Sequence, residues 1–209
     1  MQMLNNYCGV DRDPRGVVRL TICNAGSLNI LGSAVINGVR EGLEVLAADR
    51  QIRALVISGQ SEKSMIGGAD IKEMAGLDQA SAEKFITGLR DLCEAVRAFP
   101  GPVIARMPGW CLGGGLEFAA ACDFRVAAHD AKFGMPEVRV GIPSVIHAAL
   151  LPRLIGWGRA RWLVMTAENI DGEELPLKES VNLSIAVFGK SYLTGEPQRL
   201  MQGFIDRKR

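Results

Sequence analysis

No apolar run in this chain approaches the roughly 20 residues that a membrane-crossing helix needs, and residues 1–7 show no charged segment leading into an apolar core. Neither a membrane span nor a secretory leader is expected, and no membrane partner. An excess of one charge sign is missing as well: 24 Lys and Arg stand against 23 Asp and Glu, with no basic block before the last few residues. That balance argues against nucleic acid as a partner. The five cysteines, Cys8, Cys23, Cys93, Cys111 and Cys122, lack metal-ligand spacing, so no metal site is expected. Odd in number and set in or beside apolar segments, they read as buried free thiols of a reducing compartment, which predicts a cytoplasmic location. Internal repeats and low-complexity segments are also lacking.

What is present is a chain of 209 residues, 48% hydrophobic and 22% charged, long enough for one well-filled core. Apolar, β-branched runs at 17–23, 52–59 and 102–107 read as strands, with a shorter strand at 123–128. Helical spacing of Val35, Ile36, Val39, Leu43 and Leu46 predicts a helix over 31–48, and Phe85, Leu89, Leu92 and Val96 predict another over 81–98. Residues 131–134 read as the start of a loop. Strands alternating with helices predict an α/β fold built on right-handed crossovers.

Two stretches break this regularity with glycine. Gly113, Gly114 and Gly115 leave the backbone bare just before an Ala-rich helix, with Glu117 in that helix's first turn. Bare amides and the positive end of a helix suit a developing oxyanion, and a carboxylate beside them suits acid/base work. The plainer reading is tight packing of helix on strand. Gly67, Gly68, Ala69 and Asp70 form a second softened turn after a strand, where the plain reading makes Asp70 a helix cap. Two such turns could each direct an N–H to one oxygen. Glu137 follows Pro136 among apolar neighbours, a setting that raises a carboxyl pKa toward that of a general acid.

The segment 66–74, the Gly113 to Glu117 run, Cys122 with Asp123, and Phe133, Gly134, Met135, Pro136 and Glu137 with Gly141 beyond closely resemble the crotonase (enoyl-CoA hydratase/isomerase) superfamily. The match runs in uninterrupted order over about residues 17–166. The resemblance implies a ββα spiral with a C-terminal helical region, assembled as a trimer or hexamer. It also implies an oxyanion hole from the N–H groups of Ala69 and Gly114, holding the thioester oxygen of an acyl-CoA. Glu117 and Glu137 then correspond to the two acids of the hydratases, which add water across a 2,3 double bond. Coenzyme A, part of the substrate rather than a separate cofactor, is implied to lie along Ser27, Leu28, Gly67, Gly68, Asp70, Ile71, Lys72 and Gly113. Isomerisation of an enoyl-CoA, dehydration of carnitinyl-CoA and a non-catalytic acyl-CoA-binding role are the alternatives the family offers.

Two departures stand out. After Gly141 the chain carries Pro143, Ser144, Val145, Ile146, His147 and Ala148 where many hydratases have small Gly- and Thr-rich residues. Bulk there is expected to narrow the acyl pocket. His147 is an additional titratable group whose ordinary role on an apolar helix is structural, and His129 reads as surface. The core is expected over 1–166 and a helical region over 167–209, lacking a family segment near 171–175. Since deleting packed helices would expose a large apolar surface, a segment left out of the chain is favoured over helices lost.

Overall fold

A computed structural model describes residues 1–172. In chain order it begins with β1 (Gln2–Asn5), β2 (Cys8–Arg12), β3 (Val17–Ile22), β4 (Ile30–Leu31) and α1 (Ser33–Ala47). There follow β5 (Ala54–Gly59), β6 (Ser64–Ile66), β7 (Gly68–Ala69), α2 (Ile71–Met74) and α3 (Gln79–Arg97). The second half comprises β8 (Val103–Met107), β9 (Trp110–Leu112), α4 (Gly114–Ala121), β10 (Phe124–Ala127) and β11 (Lys132–Gly134). Two 3-10 turns, Pro136–Val140 and Ile146–Leu150, precede α5 (Leu151–Ile155), α6 (Trp157–Thr166) and β12 (Ile170–Asp171). This is the α/β organisation expected.

Six strands form the larger sheet in the order β1-β2-β3-β5-β8-β10. The first three are an antiparallel meander, and β3, β5, β8 and β10 run parallel. In the parallel part Leu20 lies opposite Ile57, and Ile57 opposite Ala105; all three are fully buried. The covered strands read as almost continuous apolar runs for that reason. A second sheet, β12-β11-β9-β6, and a small pair, β4 with β7, carry the turns of interest.

Several boundaries differ from the sequence expectation for identifiable reasons. The helix expected from residue 31 starts at Ser33, because Ile30 and Leu31 pair with Gly68 and Ala69. Its Gly32 cap has no side chain to offer; Glu73 of α2 supplies the acceptor instead, taking the Ser33 N–H at 2.9 Å and also the Ser33 hydroxyl. The helix expected from residue 81 starts at Gln79, since Asp78 accepts the Ser81 N–H at 2.8 Å and donates its own N–H to the Ser81 hydroxyl at 2.9 Å. Residues 132–134, read as loop, are strand β11, pairing Phe133 with Cys111 and Ile170. The strand 103–107 does not run straight into the glycines: after Pro108 and Gly109 the chain leaves the six-stranded sheet and enters the four-stranded one as β9. The compact unit that contains the site is Met1–Gly172. The helical region expected over 167–209 and the shortened passage near 171–175 lie, beyond residue 172, outside the described residues, as does the basic end of the chain.

Candidate active site

Helix α4 is the element on which the site is built, and all eight of its residues are buried. It starts at Gly113, whose φ of 51° and ψ of −124° are closed to residues with a side chain. The Gly113 N–H donates to the Gly134 carbonyl at 2.9 Å, tying the turn to β11. The first intrahelical bond runs from the Glu117 N–H to the Gly113 carbonyl at 3.0 Å. The amides of Gly114, Gly115 and Leu116 therefore precede the helical ladder and point out of the helix start. A Cβ on Gly115 would come within 2.4 Å of the Ile66 carbonyl oxygen, so this glycine is required for packing against β6. The packing reading of the glycine run thus applies to Gly115, while the first amides of α4 precede its ladder.

At the other end of α4, the Arg125 guanidinium donates to the carbonyls of Ala119 at 3.0 Å, Ala120 at 3.3 Å and Cys122 at 2.7 Å. These carbonyls lie at the C-terminal end of the helix, where that of Ala119 also takes a backbone N–H, from Cys122 at 3.3 Å, and a cation there complements the helix dipole. Asp123 accepts the Val103 N–H at 2.8 Å and joins the helix exit to the start of β8. The helix that presents Glu117 is fixed at both ends.

Strand β7 lies against α4. Its pairing of Ala69 with Leu31 is closed by the Asp70 N–H, which donates to the Leu31 carbonyl at 3.0 Å. Because successive N–H groups of a strand point to opposite sides, the Ala69 N–H faces away from β4. Gly68, with φ of 122°, passes close to the Leu112 carbonyl: a Cβ there would sit 3.4 Å from that oxygen. The two glycine-softened turns are therefore neighbours, as expected of them.

Glu117 is 3% exposed. Burial pushes its carboxyl up to about 8, the Ala148 N–H pulls it down, and the nearby charge of Glu137 pushes it up. Ala148 donates to Oε1 at 2.9 Å. Glu137 is half-buried on the turn Pro136–Val140. Burial raises its carboxyl too, against its own backbone N–H and the Ser144 hydroxyl, which donates to Oε2 at 3.1 Å. The other oxygen lies against Gly113, 2.7 Å from where a Cβ would stand. Two carboxyls with raised pKa thus flank the start of α4, the condition for passing a proton near neutral pH.

The remaining expected residues surround the second turn. The Gly67 N–H donates to the Leu28 carbonyl at 2.7 Å, which puts the two in contact; the Ser27 carbonyl accepts the Ser61 hydroxyl at 2.6 Å. Ile71 and Lys72 face solvent beside them. The Asp70 carboxylate caps α2 by accepting the N–H groups of Lys72 at 2.9 Å and Glu73 at 3.2 Å. Sequence reasoning missed Ser144 and Ala148 as partners of the two acids, although both fall in the stretch after Gly141 that departs from the hydratase pattern. Among the described residues, no group of three or more His, Cys, Asp or Glu side chains is placed to hold a metal ion.

A mixed α/β core that presents one buried and one half-buried acid beside the start of α4 is of the crotonase class. The chain belongs to the enoyl-CoA hydratase/isomerase family, whose model matches residues 12–183. It is 38% identical over 149 residues to a crotonyl-CoA hydratase of Syntrophomonas wolfei, covering 71% of this chain and 57% of that one. It is 34% identical over 180 residues to the mitochondrial enoyl-CoA hydratase domain-containing protein 2 of Bos taurus, covering 86% of this chain and 61% of the relative. The chain thus spans less than two thirds of these relatives' length. Among solved structures, an enoyl-CoA hydratase from Bacillus anthracis superposes with a TM-score of 0.75 at 31% identity, over 88% of this chain and 76% of that one.

Proposed function

We propose that the protein is an enoyl-CoA hydratase, adding water reversibly across the 2,3 double bond of a 2-enoyl-CoA thioester. The observation that carries this reading is the pair of carboxyls raised by burial, Glu117 buried and Glu137 half-buried, set at the start of α4. Hydration needs two proton transfers: water gives up a proton as its oxygen bonds to C3, and C2 gains one as the enolate collapses. One acid must be ionised and the other protonated, and two carboxyls whose pKa values are both raised by burial suit that exchange. Glu117 is assigned to activation of water and Glu137 to the proton at C2. The Ala69 and Gly114 amides would hold the thioester oxygen while it carries negative charge, each lowering the barrier by on the order of 2.7–4 kcal/mol by analogy with other such donors.

In this reading the CoA portion runs along Ser27, Leu28, Gly67, Gly68, Asp70, Ile71 and Lys72, with Gly113 bordering the thioester. Asp70 would shape this turn rather than donate to CoA, since its N–H goes to the Leu31 carbonyl and its side chain caps α2. Addition of water leaves no electrons to dispose of, and the reading calls for no cofactor beyond the CoA of the substrate. We further propose self-association as a trimer or hexamer. Phe124 and Val126 on β10, an edge strand, are each 60% exposed, and Trp157, Trp162 and Met165 on α6 are exposed as well. A monomer in sedimentation would remove that part of the reading.

The test is product analysis with crotonyl-CoA and with branched 2-enoyl-CoAs. 3-Hydroxyacyl-CoA is expected from the wild type, and Glu137→Gln should cut turnover by about 10²–10⁴-fold while retaining acyl-CoA binding. A wild-type chain that forms no hydroxyacyl-CoA, or yields only a shifted double bond, would end the hydratase reading.

A further inference from the structure

Ile146–Leu150, a 3-10 turn, packs against both α3 and α4, and its geometry is unusual at the residue where it begins. Ile146 has a φ of 51°, a left-handed conformation that a β-branched side chain resists, and such a residue persists only where its surroundings hold it. Two contacts do so. His147, only 5% exposed, sets its Nε2 2.9 Å from Oε1 of Glu94 on α3. Since a carboxylate only accepts, Nε2 carries the proton of this bond. The next residue, Ala148, donates its N–H to Glu117. The Glu94 carboxylate is in turn held by Arg97 at 3.0 Å.

We infer that His147 is a positioning residue: anchored to Glu94, it holds the strained 146–148 backbone where the Ala148 amide meets the Glu117 carboxylate. No other polar atom of the imidazole is engaged, for Nδ1 is buried without a partner among the described residues. The ring is spent on one anchor. A hydrogen bond to the charged form of an acid favours that form, so the anchor acts as a chemical control: it keeps Glu117 able to ionise in a site whose burial opposes ionisation. The inference rests on the hydratase reading only where activity is the readout.

The other titratable groups around Glu117 are few. Glu137 acts on it from the turn Pro136–Val140, and Cys93 comes from α3. β6 and β7 bring none, and Asp123 and Arg125 sit at the far end of α4. Around His147 itself stands Glu94, whose carboxylate also carries Arg97. Of these, only the turn bearing His147 delivers a backbone donor to Glu117.

The experiment compares wild type, His147→Ala, Glu94→Ala, the double variant and His147→Gln. For each, kcat and KM with crotonyl-CoA are measured across pH, and the Glu117 carboxyl carbon is titrated by NMR with Glu117→Gln for assignment. The expected result is an acid limb of kcat displaced upward by about one pH unit in both single alanine variants, a roughly tenfold loss below the limb, with KM near its wild-type value. The double variant should be no worse than the single ones, and His147→Gln, which still offers Glu94 an N–H, should recover part of the loss. An unmoved acid limb and an unmoved Glu117 titration in folded Glu94→Ala would overturn the inference, as would additive losses in the double variant. If His147→Ala does not fold, Glu94→Ala and His147→Gln decide. If the wild type turns over no enoyl-CoA, the hydratase reading fails, and the Glu117 titration alone still accepts or rejects the anchor.

Discussion

Replacing Glu117 by Gln keeps the shape of the side chain and removes its proton equilibrium, so it isolates the largest electrostatic perturbation in the site. In the wild type the carboxyl moves from an ordinary 4.5 to about 8 on folding. Between those values the folded chain holds a proton that the unfolded chain has released. The unfolded state then binds fewer protons than the native one, and stability falls as pH rises through the window; below it the term is fully favourable, above it fully lost. The full span is worth ~5 kcal/mol, an upper bound because the site relaxes around the charge once it forms. The side chain is 3% exposed, so solvent screening takes little from it. The glutamine variant lacks this term and still offers Ala148 an acceptor. Urea unfolding of both proteins, from about pH 5 to about pH 9, should show the variant gaining several kcal/mol on the wild type toward the alkaline end, at equal dependence on urea. Two stability curves that stay parallel across that range would refute the reasoning, and with it the raised carboxyl of Glu117.

Gly113→Ala should lower kcat sharply while costing ~1–3 kcal/mol of stability, because its φ of 51° is strained for alanine and the new Cβ would stand 2.7 Å from a Glu137 oxygen. Steady-state kinetics beside thermal unfolding check this, and unchanged kcat would show that Glu137 need not lie against that glycine. Arg125→Met should destabilise the fold by about 1.5–3 kcal/mol by leaving the Ala120 and Cys122 carbonyls at the end of α4 without their donor. Chemical denaturation measures it, and a loss below a few tenths of a kcal/mol would mean that water satisfies those carbonyls equally well.

Much of the fold could be read from the residues themselves. Long stripes such as Val35, Ile36, Val39, Leu43 and Leu46 declare α1, and the apolar run of β5 declares a covered strand, because burial on that scale leaves a period in the sequence. Short elements leave none. The meander formed by β1 and β2 went unread, and β9 was merged with β8, since three residues cannot show alternation and the switch between sheets occurs at Pro108 and Gly109. The site divides along the same line. Glu117 and Glu137 were legible because carboxyls among apolar neighbours are conspicuous; the Ala148 amide that supports Glu117 was not, because a backbone donor belongs to every residue but proline. Gly115 illustrates the converse. Its place in a bare-backbone motif was visible, yet its need to clear the Ile66 carbonyl emerges only when β6 is brought beside it.

Ser144 and Ala148, which reach Glu137 and Glu117 respectively, belong to one short stretch between the turn Pro136–Val140 and α5, Ala148 on its 3-10 turn. An exchange confined to that stretch would therefore retune both acids together while the glycine turns and their amides stay as they are. Diversification of chemistry on this scaffold has its shortest route there, through a segment that holds neither acid.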